Sequence, residues 1–256
     1  MRRPSVSVTE RNEAVLERIR QLKGEHPFWG YRHVWAHLRL VEGFLINKKR
    51  VYRLMHVHGL LVPRNAAARA SRVATRSKPR PDRPRQWWGI DMTKVLTESG
   101  WVYVVVVLDW YTKQVVGYQA GSRSTSADWL VALEAGLNRY FPAGVRDQGL
   151  HLMSDNGSQP TSKRFVKACR TLDIAQAFTS YNNPKGNADT ERMMRTLKEE
   201  LVWLREWPTA GEFVQALDHW VAWYNEHHLH SALGYQTPNQ KERTYNQTMR
   251  TLLQSA

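Results

Sequence analysis

The spacing of apolar residues along the chain changes character near position 87. Upstream of it, apolar side chains recur every three or four positions, which is the period of an amphipathic helix. Three stretches have this period: 11–23, 31–40 and 47–56. Asn47 stands where an N-cap residue is expected at the start of the third helix. We therefore predict a small all-α domain over residues 1–63.

Downstream, the pattern predicts a mixed sheet flanked by helices. Three consecutive strands are expected over 88–93, 101–108 and 115–120, and the apolar run of the second implies burial on both faces. The elements predicted next are a helix (126–140), a strand (150–154), a helix (161–172), a strand (174–178), a polar loop (180–187) and two long helices (188–204 and 209–226). This is the element order of a ribonuclease-H-like α/β fold. We expect it to span 87–227, with a largely loop-like C-terminal extension over 228–256 that is weakly helical at its end.

Charge divides the chain at almost the same place. The protein has 256 residues and a net charge of +14. Residues 1–85 hold 20 of the 37 Lys and Arg and 6 of the 23 Asp and Glu, whereas residues 86–256 hold 17 of each. An excess confined to one third of a chain indicates a polyanionic partner, since each phosphate contact adds affinity through counterion release. The alternative, a solvated basic tail, is favoured for the extreme N-terminus.

The third predicted helix concentrates part of this charge. Lys48, Lys49, Arg50 and Arg53 lie in its opening turns, where the helix dipole disfavours cations. A role in facing double-stranded DNA would explain them, and three short helices with a basic third one resemble a helix-turn-helix. A small helical bundle with a basic face is the alternative.

Residues 64–86 have no apolar period and contain eight Arg or Lys and three prolines, so we predict a basic linker. Whether it follows DNA or is only a tether stays open at this point.

Several classes of protein are excluded. No apolar run reaches the length of about 18 residues that a membrane span needs, so no membrane partner is expected. The N-terminus lacks the apolar segment of a signal peptide. The single cysteine, Cys169, excludes an internal disulfide and a Cys/His zinc module of the usual form. We expect a cytoplasmic protein.

Three acidic residues stand out by position. Asp91 lies in the first predicted strand, Asp155 follows the fourth strand, and Glu191 lies on the helix after the polar loop, with 35 residues between the last two. Carboxylates on neighbouring strand ends and a nearby helix can converge. Clustered like charges repel one another, but they suit two divalent ions such as Mg²⁺ or Mn²⁺, which activate the nucleophile and stabilise the leaving oxygen in phosphodiester chemistry.

Other residues near these acids have competing interpretations. Asp109 also ends a strand, and a turn-capping role is favoured over a metal contact. Asp189 is two positions before Glu191, and such positions on a helix point apart, so the interval favours Glu191. Asn156 is expected to shape the turn after Asp155, with a second-shell contact as a further possibility. The residues held as candidates for DNA phosphates are Lys185, Arg192, Arg195 and Lys198.

Several short motifs are distinctive: WGIDMT at 88–93, VLD at 107–109, SDNGS at 154–158, KGN at 185–187 before Glu191, TLKEEL at 196–201, YN at 224–225, and HSALGYQTP at 230–238. In these motifs the sequence resembles the DDE transposases and retroviral integrases, and within them the second-frame protein of bacterial insertion sequences. In the first third, HPFWGYR at 26–32 and NKKRV at 47–51 resemble the helix-turn-helix of the same family.

The resemblance implies that Asp91, Asp155 and Glu191 are the metal-binding catalytic triad of a Mg²⁺-dependent enzyme. Such an enzyme cleaves DNA at the 3′ ends of its element and joins them to target DNA. It also implies a homo-oligomer on DNA in the bacterial cytoplasm, associated with the nucleoid, and in some elements a partner from an upstream reading frame. The alternatives left by the residues themselves are a ribonuclease-H-like nuclease without strand transfer and a non-catalytic DNA-binding protein.

Overall fold

Five strands form one mixed sheet in the larger part of the chain. In the computed structural model, which describes residues 6–63, 79–179 and 186–255, the strand order is β3-β2-β1-β4-β5. β1 and β2 pair antiparallel, as do β2 and β3, whereas β1–β4 and β4–β5 are parallel. The strands are β1 (Trp87–Thr97), β2 (Gly100–Asp109), β3 (Val115–Gly121), β4 (His151–Ser154) and β5 (Ala175–Phe178). This is the ribonuclease-H-like α/β arrangement expected from the pattern.

Helices cover the sheet on both faces. The helices that follow the first three strands are α4 (Ser126–Tyr140), α5 (Lys163–Thr171), α6 (Ala188–Glu200), α7 (Ala210–His227) and α8 (Pro238–Gln254). The core on one face joins α4 and α5 to the inner residues of β1 and β2. The core on the other face joins α6 and α7 to the opposite residues of β2. Alternation along β2 produces this division, since Val105 and Val107 face the first core and Val104 and Val106 the second.

Gly117 lets β3 and α4 approach each other at backbone distance. A Cβ atom at this position would overlap the carbonyl oxygen of Ala132 and lie 2.8 Å from the backbone nitrogen of Gly136. Because both of these atoms belong to the α4 backbone, no side-chain rotation can relieve the overlap.

Three helices form the N-terminal part: α1 (Val6–Glu25), α2 (Tyr31–Ala36) and α3 (Lys48–Val57). The helix predicted over 31–40 is α-helical only to Ala36 and then widens into a π-helical turn, His37–Val41. The N-cap prediction for α3 is confirmed, because Asn47 Oδ1 accepts a hydrogen bond from the backbone N–H of Arg50 (2.9 Å). Ile19, Leu22, Val34, Leu38, Val51 and Met55 are fully buried.

The chain divides into two units. The helical unit is the described part of Met1–Ser71 together with Leu229–Tyr235, and the sheet unit is the described part of Arg72–His228 together with Gln236–Ala256. Within the helical unit, the Lys48 ammonium lies 4.2 Å from the Trp35 ring centroid and 4.9 Å from that of Tyr235. These cation–π contacts attach the Leu229–Tyr235 segment to the helices. The domain limits predicted at 63, 86 and 227 stay predictions, and residues 64–78 of the predicted linker lie outside the described part.

The C-terminal extension differs from the expectation of a loop that is weakly helical at its end. Its last part is the 17-residue helix α8, which begins with a capping box between Thr237 and Gln240. Polar contacts hold the start of this helix: Glu242 pairs with Arg85 (2.5 Å), and Asn239 accepts from Gln114 Nε2 (2.5 Å). The sequence predicted only weak helicity here, because α8 packs through polar groups and therefore has no apolar period. His228, at the start of this extension, is buried and stacks on Tyr224.

No helix in the described ranges combines the length and apolar character required to cross a membrane.

We expect Gly117→Ala to destabilise the sheet unit by about 3 kcal/mol, because the added methyl group overlaps the backbone of α4. The free energy of unfolding from urea denaturation measures the effect. Gly121→Ala in the same strand is the matched control, since its Cβ would lie 3.9 Å from the nearest atom, Gln119 Nε2. Equal stability of the two variants would contradict the close approach of β3 and α4.

Candidate active site

Asp91 lies in the middle of β1, opposite Val106 of β2. Its Oδ1 accepts a hydrogen bond from the N–H of Met92 (2.8 Å), which orients the carboxylate. Gly89, two positions earlier, faces α6, and residues two apart on a strand share a face. Asp91 therefore points toward the layer that holds α6.

Asp155 follows the last residue of β4, the parallel neighbour of β1. Its side chain is exposed, and its Oδ1 accepts from the N–H of Gly157 (3.0 Å). Asn156 Nδ2 donates to the carbonyl oxygen of Thr179 at 2.6 Å. This bond ties the turn after β4 to the residue that follows β5, so Asn156 fixes the local backbone beside Asp155.

Glu191 lies in the first turn of α6, and a contact with β1 positions that turn. Thr190, which is fully buried, accepts a hydrogen bond from Trp110 Nε1 (3.0 Å). Both groups occupy the space above Gly89, where any Cβ would overlap them and would lie 2.8 Å from Asn187 Oδ1. The absence of a side chain at Gly89 thus lets α6 approach the strand that carries Asp91.

Asp189 has a different role from Glu191. Its carboxylate pairs with the ammonium of Lys113 at 2.8 Å, at the turn between β2 and β3. This ion pair is a second attachment of the first turn of α6 to the sheet unit, and it directs Asp189 away from Glu191.

The electrostatics link the three acids. Burial raises the pKa of Asp91 to about 6; the Met92 hydrogen bond opposes this shift, and the charges of Asp155 and Glu191 add to it. The positive charge of Lys198 lowers the same pKa. Desolvation also raises the pKa of Glu191 above its ordinary value. Asp155 and Glu191 therefore lie close enough to Asp91 for their charges to disfavour its charged form, with Lys198 as the nearby cation.

The fit of this cluster to a divalent metal has two sides. Its donors are all carboxylate oxygens, which are the ligands preferred by Mg²⁺ and Mn²⁺, and a cation would offset their mutual repulsion. However, within 6–63, 79–179 and 186–255, no group of three or more His, Cys, Asp or Glu side chains is arranged so that it could hold a metal ion. The acids thus have the right chemistry and the right neighbourhood but are not drawn together to ligand distance.

Asp109, the rival acid, is fully engaged elsewhere. It is only 2% exposed. Its Oδ1 accepts from the N–H groups of Tyr111 and Thr112 (both 2.9 Å), and its Oδ2 from the N–H of Arg85 (2.6 Å) and Trp88 Nε1 (3.1 Å). The turn-capping role is confirmed, and a buried carboxylate with these partners is not free for a metal.

The basic residues near the site fall into three groups. Lys198 acts electrostatically on Asp91. Arg192 is exposed on α6, and Arg195 pairs with Glu199 (2.7 Å). Lys185 lies outside the described residues.

The four cations of α3 also differ in their contacts. Lys48 lies over the rings of Trp35 and Tyr235, and Arg50 Nε donates to Asn12 Oδ1 (2.9 Å). Lys49 and Arg53 are exposed. Two of the four cations therefore stabilise the helical unit itself.

Comparison with known proteins finds three matching family models. Residues 81–184 and 172–238 each match a family model described as an integrase core domain, and residues 10–67 match an HTH-like domain. The chain is therefore similar to integrase-core proteins over residues 81–238. It is 29% identical over 248 residues to the transposase for insertion sequence element IS629 of Shigella sonnei, covering 92% of this chain and 81% of that protein.

A second relative is the transposase InsD for insertion element IS2 of Escherichia coli, which is 28% identical over 236 residues and covers 88% of this chain and 77% of that protein. Among solved structures, a chain of the simian T-cell lymphotropic virus intasome in complex with the PP2A regulatory subunit B56 gamma has a TM-score of 0.54 at 16% identity, covering 88% of this chain and 73% of that chain. At this identity the likeness concerns the fold alone.

Sequence reasoning missed the residues that attach α6. Gly89, Trp110 and Thr190 lie in or next to motifs that drew attention for their acids. The signal was present in WGID, where a glycine interrupts an otherwise buried strand, since such a glycine often marks a close approach of another backbone or side chain.

We expect Gly89→Ala to move the first turn of α6 away from β1, because the new methyl group would overlap Thr190 and Trp110. The expected result is a loss of DNA end cleavage of at least about tenfold, since small misplacements of catalytic groups are costly. An end-cleavage assay at a temperature where the variant stays folded measures it. Gly211→Ala, with no atom nearer than 3.9 Å to its Cβ, is the control, and normal cleavage by Gly89→Ala would contradict the attachment.

Proposed function

We propose that the chain is the transposase of a bacterial insertion sequence, which cleaves DNA at the 3′ ends of its element and joins them to a target duplex. The observation that carries the proposal is the match of residues 81–184 and 172–238 to integrase core domains, together with the match of residues 10–67 to an HTH-like domain. Asp91 points toward the layer that holds α6, and the charges of Asp155 and Glu191 add to the rise of its pKa, as is common for carboxylates at a functional site.

In this proposal Asp91, Asp155 and Glu191 would hold two divalent ions, Mg²⁺ or Mn²⁺. Such ions would supply stabilisation of the charge that develops on oxygen during phosphodiester attack. The chain's own groups prepare the site. The N–H groups of Met92 and Gly157 orient two of the carboxylates, and Asn156 holds the turn after β4 as a second-shell residue.

The cations beside the site bind DNA phosphates in this scheme. Lys198 contributes positive charge next to Asp91, and Arg192 is exposed on the same helix. Lys185 is retained as a third contact by the sequence argument. Phosphate contacts of this kind position a duplex and carry no sequence information.

The helical unit binds the element ends through α3. Lys49 and Arg53 are the proposed contacts, because both are exposed, whereas Lys48 lies over two aromatic rings and Arg50 donates to Asn12 within the unit. We further propose that the protein works as a homo-oligomer on double-stranded DNA in the bacterial cytoplasm, at the nucleoid. A partner from an upstream reading frame is part of the same proposal.

Substitution of the acids tests the catalytic assignment. We expect Asp91→Asn, Asp155→Asn and Glu191→Gln each to lower end cleavage and joining by about 100-fold or more, equivalent to at least about 2.7 kcal/mol of transition-state stabilisation. The assay uses labelled element ends, Mg²⁺ and a supercoiled target. Glu98→Gln, an exposed acid at the β1–β2 turn, is the control. Full activity of Asp155→Asn would refute the triad, and nicks without joined products from the parent protein would reduce the function to that of a nuclease.

Neutralising α3 tests the end-binding role. In the full chain, Lys49→Gln with Arg53→Gln is expected to weaken binding to an element-end duplex and to reduce the slope of log affinity against log salt by about 2, since each lost phosphate contact removes about 0.9. Gel shifts across a salt series measure this. Arg20→Gln with Arg39→Gln removes the same charge from exposed positions outside α3. If both double variants lose affinity equally, the effect is one of net charge and not of α3.

A further inference from the structure

The exposed face of α5 is a basic stripe for which the catalytic site gives no explanation. α5 has nine residues, and its buried side consists of Phe165 and Cys169. Its exposed cations are Lys163, Arg164, Lys167 and Arg170. The helix contains no acidic residue. Since residues 86–256 have equal numbers of acidic and basic residues, this concentration of charge is local.

These four cations have no anionic partners within the part of the chain that the structure describes. None of their side chains takes part in an ion pair or a hydrogen bond there. Some cations on other helices of the sheet unit do pair, as Arg195 with Glu199 on α6 and Arg243 with Glu226 between α8 and α7. The α5 stripe therefore differs from an ordinary surface of mixed charge.

Two of the four cations lie at the N-terminus of α5, where positive charge is energetically unfavourable. Lys163 and Arg164 occupy the first turn, which has no acidic residue, and Ser162 caps the helix by accepting the N–H of Phe165. The positive end of the helix dipole disfavours cations at this place. An anionic ligand at the stripe would offset both the dipole and the mutual repulsion of the four charges.

The stripe follows the candidate active site closely along the chain. α5 begins eight residues after Asp155, and Thr161 Oγ1 donates to the carbonyl oxygen of Gly157 (2.7 Å), so the intervening turn is held. Phe165 and Cys169 belong to the core beside α4, whereas Met193 and Met194 of α6 belong to the core on the other face. The stripe and the α6 cations thus lie on opposite layers of the sheet.

The dimensions suit a duplex backbone. From Lys163 to Arg170 the helix rises about 10 Å at about 1.5 Å per residue. Over that distance one strand of B-DNA presents about three phosphates, at about 3.4 Å of axis each. Exposed lysine and arginine side chains contact phosphates and carry no base-sequence information, so such a site would hold a duplex of any sequence.

We propose that the α5 stripe binds the phosphate backbone of the target duplex. The site is separate from the element-end contacts of α3 and from the α6 cations beside Glu191. The binding of double-stranded DNA stands on the charge and geometry of α5 alone, and its identification as the target rests on the proposed function.

The test is a set of two quadruple variants of the full chain. K163Q/R164Q/K167Q/R170Q removes the stripe, and K94Q/R139Q/R205Q/R250Q removes the same charge from exposed positions elsewhere in the sheet unit. Binding to a random-sequence duplex of about 30 base pairs is measured across a salt series, with a slope reduction of about 3 to 4 expected for the stripe variant. The control variant is expected to keep most of the parental slope, and K163R/K167R to keep all of it. Thermal melting verifies that each variant is folded.

Two readouts separate this proposal from the proposed function. Equal slopes for the stripe and control variants would overturn the α5 site, whatever the activity. With limiting target DNA, the ratio of joined to cleaved products is expected to fall at least about tenfold in the stripe variant and to recover at saturating target, as a binding defect requires. A ratio that stays low at saturation would overturn the target assignment. A parent protein that binds random duplex through α5 but never joins ends would remove the proposed function and leave the DNA site standing.

Discussion

The first turn of α6 can lie against β1 only because position 89 has no side chain, and the placement of Glu191 follows from this contact. Thr190 and Trp110 fill the space above Gly89 and are hydrogen-bonded to each other. The ion pair between Asp189 and Lys113 attaches the same turn to a second part of the sheet unit. A helix fixed at two points has little freedom to rotate, so the residue after Thr190 is held near the strand that carries Asp91. The electrostatic coupling among the acids depends on this mechanical arrangement.

Much of the architecture could be predicted because it follows from local rules. The strands of the sheet alternate or run continuously apolar according to the faces they bury, and α4 was predicted with its observed ends, Ser126 and Tyr140. Asn47 marked the start of α3 through the side-chain cap that it forms. The acids were found because each follows or interrupts a recognisable strand or loop. The interval before Glu191 then selected it over Asp189, whose ion pair with Lys113 explains the choice physically.

Other features depend on contacts between residues that are distant in the sequence. Local sequence patterns do not predict such contacts. Gln114 and Arg85 hold the start of α8 across more than a hundred positions of sequence, so its polar surface gave only a weak helical signal. Lys48 looked like a DNA contact from its place in a basic helix, but the rings around its ammonium belong to Trp35 and Tyr235. The distance at which the three carboxylates lie also follows from tertiary packing, which a spacing of 35 residues does not specify.

The participation of Leu229–Tyr235 in the helical unit has a consequence for how such proteins diversify. A recombination event that exchanged only the first quarter of the gene would combine new helices with the original Leu229–Tyr235 segment. The residues at positions 35 and 235 would then come from two different proteins. Inheritance of an intact helical unit therefore requires two distant pieces of coding sequence to stay together. Chimaeras assembled from a single crossover are expected to lose the aromatic contact around Lys48, whereas those that carry both pieces keep it.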